Sequence, residues 1–327
     1  KFAPSKESFG TLSGNDEGVF GWLSANFLLN TDADRKTPPA FAALGALDLG
    51  GGSTQITMPA PAGTLDAVSV PLPAGRPSTS VFTHSHLGFG NKQVLGALTS
   101  HEASACLSAG ATARWEPSNN SMGARSLTGR GNFIVCEQGI RRVLLGFDKR
   151  NQPDAKAKHF VAMSLFYYSI NFAQLAGHLP KTSPLSISML RTAAKNLCAE
   201  SDGSLRRMVG KDPLTPEDAI SWRCFDLVYA TRLLVDGYGF STESESIEFL
   251  GDVHGVEVEW TLGALLHDLF SKPPPPAASP RTASSSKPAV SSPADKALAA
   301  FLLLMLCMLF WCMRANAANT KTRYQSV

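Results

Sequence analysis

The sequence predicts an α/β fold, and three observations carry that reading. Short apolar runs at residues 42–50 and 53–58 flank three consecutive glycines, which reads as a β-hairpin. Segments 68–73 and 80–87 alternate apolar and polar residues, as strands do. The second half then carries long segments at helical spacing, 159–179, 186–200 and 225–239, with a strand-like run at 247–253 among them. Strands followed by alternation with helices predict an α/β arrangement.

In chain order, DEGVFGWLSANFLL (16–29) places Val19, Phe20, Trp22, Leu23, Phe27 and Leu28 at roughly helical spacing and predicts a helix. AALGALDLG (42–50) and STQITM (53–58) are the hairpin strands; VSVPLP (68–73) and SVFTHSHL (80–87) are two more. Residues 90–105 read as helical. HFVAMSLFYYSINFAQLAGHL (159–179), SISMLRTAAKNLCAE (186–200) and FDLVYATRLLVDGYG (225–239) read as helices. IEFLGDV (247–253) reads as a strand and WTLGALLHDLF (260–270) as a helix. No short-period tandem repeat is found.

The chain has 327 residues, 44% of them hydrophobic, which is enough for a substantial core. Its net charge of +3 comes without basic clusters interleaved with aromatics, so no nucleic-acid partner is expected. Composition divides the chain into a globular part at 1–271, a linker at 272–296, an apolar helix at 297–313 and a tail at 314–327. The linker, SKPPPPAASPRTASSSKPAVSSPADK with its flanks, is too rich in Pro, Ser and Ala to build a core. ALAAFLLLMLCMLFWCM (297–313) carries no charge and would span roughly 25 Å as a helix, so a single membrane pass is expected. Arg314, Lys321 and Arg323 in the tail place that end in the cytosol and the globular part in a lumen or outside the cell.

Cysteine usage agrees with that compartment. Cys106, Cys136, Cys198 and Cys224 lie in the globular part and allow three disulfide pairings, of which 106–136 with 198–224 is the sequence-local one. No Cys/His spacing suggests zinc. Asn119 begins the N-glycosylation sequon Asn119-Asn120-Ser121.

The chemistry concentrates in DLGGGSTQ (48–55). Glycines let the backbone approach a ligand closely, and successive N–H groups can cradle phosphate oxygens. An aspartate closing the first strand is placed to hold Mg²⁺ or Ca²⁺ through its water shell. Ser and Gln side chains can orient a water molecule.

These residues resemble the apyrases, the nucleoside triphosphate diphosphohydrolases. ALDLGGGSTQITM is similar to that family's second phosphate-binding motif, a hairpin shared with the wider actin, sugar-kinase and exopolyphosphatase superfamily. LSGNDEGVFGWLSANFLL (12–29) matches the family's Ser-Gly-x-x-Glu-Gly pattern with its following aromatic and Trp, and WTLGALL (260–266) resembles its last motif. THSHLGFGNKQ lies between them, and the resemblance covers residues 8 to 270. It implies an actin-like (ribonuclease H-like) lobe hydrolysing nucleoside tri- or diphosphates with Mg²⁺ or Ca²⁺.

By the resemblance, Glu17 is the base that takes a proton from the attacking water, with Asp16 as its rival. Ser53 and Gln55 position that water. Gly50, Gly51 and Gly52 bind phosphate, with Ser53 beside them. Asp48 and Trp260 stand by the metal's water shell, and Tyr167 and Tyr229 stack the nucleobase. Both local cysteine pairs resemble family disulfides. The family's first phosphate loop, Asp-x-Gly-Ser-Ser-Gly-Thr-Arg, has no counterpart in this sequence. The chain is therefore expected to be the C-terminal part of a larger enzyme, weakly active or inactive by itself. An exopolyphosphatase-type phosphatase and a non-catalytic nucleotide-binding pseudoenzyme are the alternative readings.

Overall fold

The computed structural model describes residues 10–32, 34, 40–73, 76–118, 123–149, 152–155 and 158–272. Lys1–Pro273 forms one compact unit. Helix α1 (Gly14–Thr31) comes first, capped by Ser13, whose hydroxyl accepts the Asp16 N–H. Strands β1 (Gly45–Leu49) and β2 (Ser53–Pro59) form the glycine hairpin, followed by β3 (Ala67–Val70) and β4 (Thr79–Leu87). Helices α2 (Asn91–Ala97) and α3 (Ser100–Cys106) come next, then the ribbon β5 (Thr112–Trp115) and β6 (Arg125–Thr128), and α4 (Phe133–Leu144). Strand β7 (Phe160–Ser164) runs into α5 (Leu165–Leu175), followed by α6 (Ile187–Ala199), α7 (Asp202–Leu205) and α8 (Arg223–Arg232). Strands β8 (Ile247–Phe249), β9 (Asp252–Val253) and β10 (Val256–Glu257) lead to α9 (Trp260–Ser271).

Six strands form the main sheet in the order β3-β4-β2-β1-β7-β8. β1, β7 and β8 run parallel to one another, while β2, β3 and β4 add antiparallel pairings. The period of two along each strand sorts side chains between two cores. Leu47, Leu49, Ile56, Met58, Phe82 and Ala162 enter the larger core, which also contains residues of α3 to α6 and α8. Ala46, Val81, Val161 and Met163 face the other way, onto Trp22, Leu23 and Leu29 of α1 and Leu266 of α9. Asp48 shares the parity of Ala46, and its cross-strand partner is Gln55. Both therefore belong to the α1 face, which is where the candidate site forms.

The segment 159–179, expected to be one helix, divides into β7 and α5. FVAMS is apolar on both faces because it lies inside a parallel sheet covered on both sides, and such a run has no period to separate it from a buried helix. The chain turns at Ser164, with φ 56° and ψ −129°. Residues 90–105 form two helices rather than one, because Thr99 and Glu102 make a capping box that starts α3 afresh. The helix expected at 225–239 starts two residues earlier, at Arg223, and ends in a π turn at Leu233–Gly237. The expected strand 247–253 splits into β8 and β9. The ribbon β5–β6 and helix α4 have no counterpart in the sequence reading.

Both expected disulfides are present: Cys106–Cys136 joins α3 to α4, and Cys198–Cys224 joins α6 to α8. Asn119 and residues 273–327, which hold nearly all of the expected linker with the membrane helix and tail, lie outside the described residues. Among the described residues, no helix is long and apolar enough to cross a membrane.

Candidate active site

Two glycines bring α1 down onto the sheet. A Cβ on Gly14 would overlap the Ser85 side chain, and one on Gly18 would lie 2.8 Å from Thr57 Oγ1 and 2.9 Å from Thr83 Oγ1. Asn15 Oδ1 accepts the Ser85 N–H at 2.9 Å and fixes the register of the helix against β4. Packed this way, the first turn of α1 delivers Glu17 to the sheet. Gln55 Nε2 donates to Glu17 Oε2 at 3.0 Å, to Ser53 Oγ at 2.8 Å and to Ser85 Oγ at 3.2 Å. Asp16 is exposed and held by its own cap, accepting the Ser13 hydroxyl at 2.7 Å. The geometry thus separates the two acids: Asp16 belongs to the cap and Glu17 to the cluster.

Electrostatics favour a proton on Glu17 more than in water. Burial pushes its carboxyl above the ordinary glutamate value, and the nearby Asp48 charge pushes the same way. Asp48 is itself buried and raised by that burial, opposed by hydrogen bonds from the Ser164 side chain and the Leu49 backbone. Its Oδ1 has no hydrogen-bond partner. A buried carboxylate oxygen without a donor, close enough to Glu17 for its charge to act there, suits a hard divalent cation such as Mg²⁺ or Ca²⁺.

The glycine turn is oriented by its carbonyls. Gly50 O accepts from Asn91 N at 2.9 Å, Gly51 O from Lys92 N at 3.0 Å and Gly52 O from Gly88 N at 3.0 Å. In a trans peptide the following N–H points opposite to the carbonyl, so the N–H groups of Gly51 and Gly52 are turned away from α2 and that of Ser53 away from Gly88. Gly90 is where α2 meets this turn. A Cβ there would overlap the backbone of Gly51, Gly52 and Ser53. A Cβ on Gly52, by contrast, would meet nothing within 4 Å. Open space at a glycine turn whose N–H groups are left free of α2 leaves room there for phosphate oxygens.

The aromatic candidates separate. Tyr229 is fully buried, packed on Phe225, with its hydroxyl donating to the Phe89 carbonyl. A ring with no free face offers nothing for a base to stack on, so Tyr229 is a core residue. Tyr167 is half-buried on α5, and a Cβ on Gly251 would run into its ring. Its neighbour Tyr168, absent from the sequence reading, lines a cavity of about 710 Å³ together with Lys92, Leu165, Leu214, Trp222 and Arg223. The Tyr168 hydroxyl donates to Glu257 Oε1 at 3.1 Å; burial, then that carboxylate, pushes its pKa up to about 12. Trp260 is the first residue of α9 and is 37% exposed. Its helix crosses α1 closely enough that a Cβ on Gly263 would overlap the Phe20 carbonyl.

Sequence reasoning also missed Ser85 and Lys92. Both lie in THSHLGFGNKQ, which carried a family likeness but no assigned role. Tyr168 had a weaker signal, as one of two adjacent tyrosines. Trp222 had none.

A profile of the GDA1/CD39 (nucleoside phosphatase) family matches residues 1–274. Human ectonucleoside triphosphate diphosphohydrolase 2 is 30% identical over 302 residues, covering 81% of this chain and 59% of that protein. The human nucleoside diphosphate phosphatase ENTPD5 is 29% identical over 296 residues, covering 83% of this chain and 62% of that protein. The chain thus spans about three fifths of the length of these relatives. Among solved structures, a nucleoside triphosphate hydrolase from Neospora caninum superposes with a TM-score of 0.58 at 18% identity, covering 81% of this chain and 65% of that one. At that identity the likeness shows the fold, an α/β lobe of the actin-like kind.

Proposed function

This chain belongs to the GDA1/CD39 (nucleoside phosphatase) family, and we propose that it carries the water-activating half of a nucleoside tri- or diphosphate hydrolase. The observation that carries the reading is the Gln55 amide, held between Glu17 Oε2 and Ser53 Oγ beside the open space at Gly52. In this mechanism the terminal phosphate rests on the N–H groups of Gly51, Gly52 and Ser53. A water molecule is oriented by Ser53 and Gln55 in line with the terminal phosphorus. Glu17 takes its proton as the water oxygen bonds to phosphorus and the bridging P–O bond breaks, giving inorganic phosphate and a nucleotide shorter by one phosphate. Asp48 would help hold a Mg²⁺ or Ca²⁺ ion through its water shell, with Trp260 near that shell; when bound, the ion neutralises phosphate charge. Lys92, whose side chain lies against Gly51, adds a positive charge at the same turn.

The nucleoside belongs, in this reading, in the cavity lined by Tyr168 and Trp222, which adjoins the glycine turn through Asn91 and Lys92. The two disulfides and the family support a lumenal or extracellular site for the globular part. Residues 297–313 would anchor it to the membrane, and Asn119 would carry a glycan.

The test is phosphate release from ATP, ADP and UDP with Mg²⁺ or Ca²⁺. It compares this chain and the longest protein that contains it, each with and without Glu17→Gln. The expected result is release that falls by roughly 10²- to 10⁴-fold with Glu17→Gln, the range for loss of a general base. Release unchanged by that substitution sinks the assignment. No release in any form favours a nucleotide-binding protein without turnover.

A further inference from the structure

A buried polar relay runs from the wall of the 710 Å³ cavity to the glycine turn. Arg223 is 3% exposed; its Nη1 donates to Asp226 Oδ2 at 2.9 Å, and its Nη2 donates to Thr215. The other oxygen of Asp226 accepts from Asn91 Nδ2, also at 2.9 Å. Asn91 is the first residue of α2, and its backbone N–H donates to Gly50 O. Arg223, Asp226 and Asn91 all line the cavity, and all three are buried. One side chain, Asn91, is thus fixed by the cavity wall through its amide and fixes the phosphate turn through its backbone. The next residue, Lys92, repeats the backbone contact on Gly51.

We propose that Asn91 and Asp226 are positioning residues that couple the nucleoside cavity to the phosphate turn, so that an occupied cavity tightens the grip on phosphate. The inference rests on the phosphate reading of the glycine turn given above. The physical reason is that a nucleoside packed on Arg223 and Trp222 restrains the Arg223–Asp226 pair. That restraint passes through a short chain of buried hydrogen bonds, in surroundings where each bond is costly to leave unmade. Binding energy from the non-reacting part of the substrate would then act at the reacting end.

The coupling can be read without turnover. Inorganic phosphate is titrated calorimetrically into the full chain with Mg²⁺ present, alone and with saturating adenosine or uridine. The expected result is phosphate binding tightened at least about fivefold by one of the nucleosides, the low end of ordinary coupling between sites. Asn91→Ala should abolish the tightening while phosphate and nucleoside each still bind. Because Asn91→Ala leaves Asp226 with one donor fewer, a second variant removes the pair together: Arg223→Met with Asp226→Leu is expected to fold and to lose the coupling as well. In any form that turns over, Asn91→Ala should lower kcat/KM for the nucleotide, chiefly through a raised KM.

Phosphate that binds equally with and without nucleoside overturns the relay, as does coupling that survives in both variants. The proposed hydrolysis would still stand on the Glu17 test in either case. Coupling present in a protein whose turnover ignores Glu17→Gln keeps the relay and removes the catalytic reading. Absence of any phosphate binding overturns both.

Discussion

Gly263 of α9 lies against the carbonyl of Phe20 in α1, so close that a Cβ on it would overlap that group. The two helices meet backbone to backbone, and α1 is the helix that carries Glu17. Gly263→Ala is expected to push α9 away and lower stability by about 1–3 kcal/mol, the usual cost of overpacking. Thermal unfolding measures this directly. An unchanged midpoint would mean that the helices part without cost.

Gln55 bridges the helix and the turn, so its loss should be felt in the reaction more than in the fold. Gln55→Leu is expected to lower kcat by roughly 10- to 100-fold, because neither the water nor Glu17 is then held in line. Gln55→Glu should be at least as harmful, since a second carboxylate 3.0 Å from Glu17 would favour a proton on one of them. Steady-state kinetics and a melting curve on each variant decide this. Equal turnover with either variant would remove Gln55 from the mechanism.

The pH dependence follows from the sign of the Glu17 shift. Only the ionised carboxylate can accept a proton from water, and burial together with Asp48 raises the pH at which Glu17 ionises above 4.5. Activity should therefore rise with pH along an acid limb whose midpoint lies above 4.5. Asp48→Asn removes the repulsion and should move the residual limb toward lower pH, even as it weakens turnover. A limb that stays in place would show that Asp48 does not act on Glu17.

His86 governs a separate effect, on stability. It is stacked on Phe147 at 3.8 Å, and burial, then the neighbouring His84, holds its pKa down to about 3, against 6.5 for an ordinary histidine. Between those two values the unfolded chain binds a proton that the folded chain refuses, so stability is full above pH 6.5 and is lost progressively as pH falls toward 3. His86→Phe should flatten that stretch of the stability curve. Denaturant midpoints from pH 7 down to pH 4 provide the measurement, and an unchanged slope in the variant would place the proton uptake elsewhere.

Much of this architecture was legible in the sequence where local chemistry is strong. The hairpin at residues 45–59 was marked by its three glycines, and α1 by the apolar spacing within residues 16–29. The triad Glu17, Ser53 and Gln55 came through the motif likeness, and the structure brings those three side chains together. What failed was legible only in three dimensions. Phe160–Ser164 is a strand because β1 and β8 lie on either side of it, a fact absent from its own residues. Tyr229 and Tyr168 look alike as letters, yet one fills the core and the other faces a cavity. Asn91 shares the THSHLGFGNKQ likeness, but its contact with Asp226, 135 positions away, could not be read there.

The empty surroundings of Gly52 have a consequence for how this protein can be switched off. At Gly14, Gly18, Gly90 and Gly263 a methyl group would disturb the fold itself, so an inactive variant there would say little about chemistry. At Gly52 it would touch nothing within 4 Å. Gly52→Ala is expected to melt within about 1 kcal/mol of the parent, as an unhindered Gly-to-Ala change does. On the proposed reading its methyl group would nevertheless stand where phosphate oxygens bind, and phosphate binding measured by calorimetry should weaken at least about tenfold, a difference of roughly 1.4 kcal/mol. The space that the fold leaves unused at this position makes a folded but silent protein attainable by adding a single carbon.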